Sequence, residues 1–219
     1  MELGVIILDF DGVVLESEGI KDFAFEQIFR AYPRHLESIM QYHKQHSAVV
    51  RFEKFHHIFT EILKKEYTSQ QEKYLSEQFS QIVLEKVLTA PFVKGAEKFL
   101  ESYVKKYSFY IASVNPAGEL SRIMKERNLM SYFEDIYASP WKKSEAILDI
   151  LSREECEKTQ AVFIGDSYED YLAAKEVGVM FIGRDSGKSF REAKIPVFPD
   201  FLAIDQYLRK IGVLIEKYN

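Results

Sequence analysis

Two short acidic clusters hold the chemistry this sequence can do: Asp9-Phe10-Asp11-Gly12 near its start and Gly165-Asp166-Ser167-Tyr168-Glu169-Asp170 far downstream. Each comes directly after an apolar run, Val5 to Leu8 in one case and Ala161 to Ile164 in the other. Such runs mark strands buried on both faces. Aspartate is common in turns, but turn formation alone does not ask for paired carboxylates at the tips of two buried strands. A carboxylate can act as a nucleophile that splits one hard displacement into two easier ones, and Asp9 is the candidate. Asp11, one short turn away, can protonate a leaving oxygen and then take a proton from an attacking water. Clustered carboxylates repel unless a cation joins them, and an all-oxygen site beside a phosphate suits magnesium. The expected ligands are a carboxylate oxygen of Asp9, the backbone carbonyl of Asp11, and Asp166. Asp170 is expected to orient a bound water or a lysine. Ser113, after the run FYIA, can donate to a phosphoryl oxygen; Lys142 and Lys143, after IYAS, can neutralise charge on nucleophile and phosphate.

These residues need strands to carry them. After Gly12, which tolerates the positive φ of a tight turn, the texture changes to helix. Phe25, Ile28, Phe29 and Tyr32 recur at helical spacing, as do Phe55, Ile58, Phe59 and Ile62, then Leu75, Phe79 and Ile82. No strand-like run interrupts them until Ala90-Pro91-Phe92, so residues 16–90 read as an all-helical insertion. The remainder alternates. A helix at Ala96 to Tyr103 precedes a strand at Ser108 to Ala112, and a helix around Leu120 to Met124 precedes a strand near Ile136 to Ala138. A helix over Ser144 to Ser152, the strand at Ala161 to Ile164, a helix ending near Gly178 and a strand at Val179 to Ile182 complete the pattern. Alternation of this kind predicts an α/β fold with a doubly wound parallel sheet, residues 1–15 and 91–219 forming its Rossmann-like core. Sites in such sheets lie beyond the carboxyl ends of the strands. Asp9, Asp11, Ser113, the two lysines, Asp166 and Asp170 all fall there.

Composition bounds the rest. The chain has 219 residues, 47% hydrophobic and 29% charged, with a net charge of -5; this suits a globular enzyme and argues against nucleic acid as a partner. The apolar runs are of strand length, so no membrane span is expected, and Asp9 interrupts any signal-type stretch. Cys156 is the single cysteine, which fits a reducing cytoplasm.

Taken in order, DFDG (Asp9, Asp11), ASVNP (Ser113), SPWKK and GDSYED (Asp166, Asp170) resemble the signature of the haloacid dehalogenase superfamily of hydrolases: a first-strand DxD, a Ser or Thr after the second strand, a Lys, and a late GDxxxD. The resemblance covers roughly residues 1–15 and 91–185. It implies that the helical insertion is a cap domain, and the SPxxK spacing favours Lys143 over Lys142. Many members have Thr after the first-motif glycine, where Val13 and Val14 stand here. A dehalogenating member needs no acid at the position of Asp11, so oxygen-ester phosphoryl transfer is the branch that uses it.

The expected activity is a magnesium-dependent phosphatase acting on a small phosphorylated metabolite of the sugar-phosphate or nucleotide type, as a monomer or homodimer. A phosphomutase of the same fold, similar to beta-phosphoglucomutase, and a non-catalytic binding protein are the alternatives. Gly12 and Asn115 are candidate substrate-binding residues in the loops. Arg51 and Lys54, three apart and so on one face of the RFEKFHHIF helix, are the candidates from the insertion.

Overall fold

The computed structural model describes residues 3–46, 49–190 and 193–212; positions 1, 2, 191, 192 and 213–219 of the expected core, and 47 and 48 of the expected insertion, lie outside this range. The chain divides into two compact units, Met1–Ser17 with Ala90–Asn219, and Glu18–Thr89. The first opens with β1 (Val5–Leu8), four apolar residues that are all buried.

The second unit is helical. It comprises α1 (Ile20–Phe29), α2 (Leu36–Gln45), α3 (Arg51–His57), a π-helical turn at Ile58–Ile62, and α4 (Ser69–Thr89). Its aromatic residues meet because they recur at three- and four-residue intervals: the Phe25 ring lies 5.3 Å from both Phe55 and Phe79, and Phe29 lies 6.1 Å from Phe59. α2 is a helix that apolar periodicity does not mark. Its buried positions, Ile39 and His43, include a polar residue, so the repeat is weak.

The chain then returns to the first unit through α5 (Ala96–Tyr103), β2 (Ser108–Pro116), α6 (Ala117–Glu126), β3 (Asp135–Ser139), α7 (Lys143–Arg153), β4 (Ala161–Gly165), α8 (Tyr168–Val177), β5 (Met180–Arg184), β6 (Val197–Phe198) and α9 (Phe201–Lys210). The strands make a six-stranded parallel sheet in the order β3-β2-β1-β4-β5-β6. Successive side chains of a strand point to opposite faces. Val5 and Ile7 of β1 pack with Phe163 of β4 against Ala146, Ile147 and Ile150 of α7 and Ala174 and Val177 of α8. Ile6 and Leu8, equally buried, take the other face. Gly178 ends α8 in the left-handed conformation, φ 89°, in keeping with its position at the end of the apolar repeat.

Strand order and register together bring the polar strand ends to one edge of the sheet. The order reverses at β1, which makes its carboxyl end the switch point where open sheets form sites. The register pairs Leu8 with both Ile111 and Ile164. The residues just beyond these three therefore leave the sheet side by side. Among the described residues, no helix is long and apolar enough to cross a membrane.

Candidate active site at the carboxyl ends of the strands

Asp9 is the first residue past β1. Its backbone N–H donates to the Ile164 carbonyl at 2.9 Å, which holds it in line with the end of β4. Its Oδ1 accepts from the Phe10 N–H at 2.7 Å, and its Oδ2 lies 2.9 Å from Lys143 Nζ. Lys143 is the first residue of α7, whereas Lys142 is the N-cap and points outward, 79% exposed, to Glu145 at 3.5 Å. Lys143 and not its neighbour is thus the lysine brought to Asp9.

The second acidic cluster reaches the same place from β4. Asp166 and Asp170 are fully buried, and carboxylate oxygens of Asp9, Asp166 and Asp170 all lie within 4.8 Å of one another. Asp170 is largely committed to the protein. Its Oδ1 accepts from Lys143 Nζ; its Oδ2 accepts from the N–H groups of Asp166 (3.2 Å) and Ser167 (3.1 Å) and from Ser167 Oγ (2.7 Å). Ser167 in turn caps α8, its Oγ accepting from the Asp170 N–H. Gly165 makes room for this arrangement, since a Cβ there would fall 2.5 Å from Asp170 Cβ.

Burial sets the electrostatics. The Asp9 carboxyl is raised to about 7 in all: desolvation pushes it up most, Lys143 pulls it down, and Asp170 and Asp166 push it up. Burial also works against the Lys143 ammonium, but Asp9 and Asp170 outweigh it and hold that lysine firmly charged. A buried cluster of three carboxylates, all hard oxygen donors, fits magnesium. Asp9 and Asp166 offer oxygens for it, while the donors already on Asp170 suit that residue to orient Lys143.

Asp11 is held separately. Its Oδ1 accepts from Ser17 Oγ at 2.6 Å and its Oδ2 from Asn115 Nδ2 at 2.9 Å. Asn115, expected to meet substrate, donates one amide N–H to this acid. Ser113, expected just past a strand ending at Ala112, is buried within β2, which runs on to Pro116 with a register irregularity between Ala112 and Pro116; its Oγ accepts from the Asn115 N–H at 3.2 Å. Gly12 adopts φ 72°. Its N–H donates to the Leu15 carbonyl within the loop at 2.9 Å, and its own carbonyl accepts from Arg184 Nη1, at the end of β5, at 3.0 Å.

Three contributors carry no motif in the sequence. Ser17 lies six residues beyond Asp11 with nothing around it to single it out. Arg184, at the end of β5, is buried and holds both the Gly12 carbonyl and Glu16. Lys188, in the loop after β5, places Nζ 3.1 and 2.9 Å from the two oxygens of Asp166. The available signal for these last two is position alone: both lie at or past the carboxyl end of an expected strand.

Of the insertion's two candidates, Lys54 belongs to the interior of the helical unit and Arg51 is half-buried. Lys54 is buried, 3.3 Å from His43 Nδ1 and donating to the His43 carbonyl at 3.4 Å; His43 Nε2 lies 2.9 Å from Asp22. This pattern fits a neutral imidazole with its proton on Nε2. Burial lowers the pKa of both His43 and Lys54. The Arg51 guanidinium stacks 5.2 Å from the Phe52 ring and 5.3 Å from Phe79.

The fold is shared with solved structures. A predicted phosphoglycolate phosphatase of Haemophilus somnus superposes with a TM-score of 0.74 at 16% identity, covering 94% of this chain and 97% of that one. YfnB of Bacillus subtilis, solved with magnesium bound, gives 0.69 at 14% identity, over 95% and 100%. A 2-haloacid dehalogenase of Pseudomonas syringae gives 0.64 at 16%, over 95% and 99%. Comparison with curated proteins found no match. The sequence model of the haloacid dehalogenase-like hydrolases matches residues 6–184, which spans both acidic clusters, Ser113 and Lys143. The protein therefore belongs to the haloacid dehalogenase-like hydrolase family.

Proposed function

We propose that this hydrolase is a magnesium-dependent phosphatase of small phosphomonoesters that works through an aspartyl-phosphate on Asp9. The observation that carries the reading is the carboxyl group of Asp11, fixed by Ser17 at 2.6 Å and Asn115 at 2.9 Å. An acid so held serves a leaving oxygen; displacement of a halide needs none.

In the first step a carboxylate oxygen of Asp9 attacks phosphorus. The phosphorus–ester oxygen bond breaks, and the leaving oxygen takes its electron pair together with the proton of Asp11. In the second step Asp11 accepts a proton from water, whose oxygen attacks the same phosphorus. The bond to Asp9 breaks, inorganic phosphate departs, and both acids are restored. Lys143 and Ser113 stabilise the charge spread over the phosphoryl oxygens, Lys143 held on station by Asp170. Asp9, Asp166 and the backbone carbonyl of Asp11 would hold magnesium, which when bound neutralises the acids and the phosphoryl group. To the helical unit, inserted directly after the catalytic loop in the sequence, we assign the role of a cap that selects the substrate; Arg51 is its candidate cation, since Lys54 is buried against His43, and we assign the enzyme to the cytoplasm.

A panel of phosphorylated metabolites with magnesium tests this. Release of phosphate that disappears in Asp9→Asn supports it. Isomerisation of a hexose 1-phosphate without net hydrolysis would replace it by a mutase, and binding without turnover by a non-catalytic role.

A further inference from the structure

We infer that Lys188 is a resident competitor for the metal site: its ammonium group and a divalent cation take the same carboxylate, Asp166, in exchange for one another. The inference rests on the proposed ligation of the metal by Asp166. Lys188 Nζ lies 3.1 Å from Oδ1 and 2.9 Å from Oδ2, so it addresses both oxygens a metal would use. Asp166 is fully buried, and a buried carboxylate without a counter-charge is costly.

The two lysines of the site differ in their freedom. Lys143 has a side chain 10% exposed and is clamped between Asp9 and Asp170. Lys188 is 41% exposed and comes from a loop that turns at Gly187, φ 90°, where Asp185 accepts the Gly187 N–H at 3.0 Å. It has an open route to solvent, and Lys143 does not. Charge favours the exchange as well. A dication brings one more positive charge to the carboxylates than the ammonium group it would displace. Ammonium and dication on one carboxylate would sit within a few ångströms of each other at a buried carboxylate, where like charges repel strongly. Lys188 thus keeps Asp166 compensated while metal comes and goes, and it weakens metal binding by the strength of its own contact.

The test measures metal affinity, not activity. Magnesium binding is followed by calorimetry, and manganese binding by electron paramagnetic resonance, in the wild type, Lys188→Met, Lys188→Gln, Lys188→Arg, Asp166→Asn and Lys142→Ala. Lys188→Met and Lys188→Gln should bind metal about tenfold more tightly, equivalent to about 1.4 kcal/mol, and should melt at lower temperature in chelator than the wild type. Lys188→Arg, which keeps the charge, should bind as the wild type does. If Lys188→Met fails to fold, Lys188→Gln, whose amide still donates to Asp166, gives the result. Unchanged or weaker affinity in the neutral variants overturns the proposal. So does equal tightening in Lys142→Ala, which would make the effect one of overall charge. Loss of metal in Asp166→Asn with no tightening at Lys188 removes the competition alone. Wild-type affinity in Asp166→Asn removes the metal assignment and the competition with it.

Discussion

Gly165→Ala is the smallest change that should unseat the proposed catalytic lysine, without touching any residue assigned to chemistry. A Cβ at position 165 would lie 2.5 Å from Asp170 Cβ, 2.7 Å from its Cγ and 2.8 Å from its Oδ2. Ordinary carbon contacts are about 3.5–4.0 Å, so the overlap is about 1 Å. The obstructing atoms are not the loose end of a side chain, because Asp170 is buried in the first turn of α8. Either the end of β4 or the first turn of α8 must shift. A shift of that size breaks one or two of the bonds that Asp170 Oδ2 accepts at 3.2, 3.1 and 2.7 Å. Overpacking costs about 1–3 kcal/mol and each lost bond to a charged group about 1.5–3 kcal/mol. A total of about 3–5 kcal/mol lowers Tm by roughly 6–20 °C for a chain of this size. Lys143 would keep Asp9 and lose its second anchor, and a displacement near 1 Å at a catalytic group lowers kcat by about 10²-fold. Thermal melts with and without magnesium, and steady-state kinetics on an aryl phosphate, read both effects. A Gly165→Ala protein with wild-type Tm and wild-type kcat would refute the account of Gly165 as the residue that seats Asp170.

Asp9→Asn should abolish turnover and phosphoenzyme formation, and it should also change how stability depends on pH. Asp9 is raised from its ordinary 3.8 to about 7 in the folded protein, so the stability tied to its proton is full below about 3.8 and lost as pH rises through about 7. In chelator the Tm of Asp9→Asn relative to wild type should therefore climb from pH 4 to pH 8; a flat difference would show that Asp9 is not held up. Asp11→Asn should slow alkyl phosphate hydrolysis by about 10²–10⁴-fold and aryl phosphate hydrolysis less; equal impairment on both would remove Asp11 as the acid. Ser17→Ala and Asn115→Ala should reduce kcat in the same leaving-group-dependent manner, and an effect of Asn115→Ala on KM alone would return that residue to substrate binding. Activity should need magnesium, vanish on chelation and be inhibited by calcium, which is larger and prefers looser coordination; full turnover after dialysis against chelator would exclude the metal.

The family and the fold are legible in the sequence because both are written in local pattern. A buried parallel strand is a short apolar run, and the residue after it is at the sheet's functional edge wherever the strand lies; that is why Asp9 and Asp166 can be named from the chain alone, whereas β2 runs on to Pro116 and carries Ser113 within it. Helix α9 also has its signals in the sequence, Asp200 as N-cap and Phe201, Ile204 and Leu208 on one face. The two-residue β6 is too short to show any period. Side-chain partners are another matter. Arg184 meets Gly12 across 172 positions and Asn115 meets Asp11 across 104, and nothing local encodes such pairs. They exist because β2 and β4 flank β1 and β5 lies next to β4. The sequence pattern puts a lysine after β3; the tertiary structure decides between Lys142 and Lys143, because the start of α7 turns one outward to solvent and the other inward to Asp9 and Asp170. Periodicity determined which residues arrive at the edge of the sheet. Only strand order and helix phase determined whom they touch there, because those contacts depend on the packing of segments that are remote in the chain.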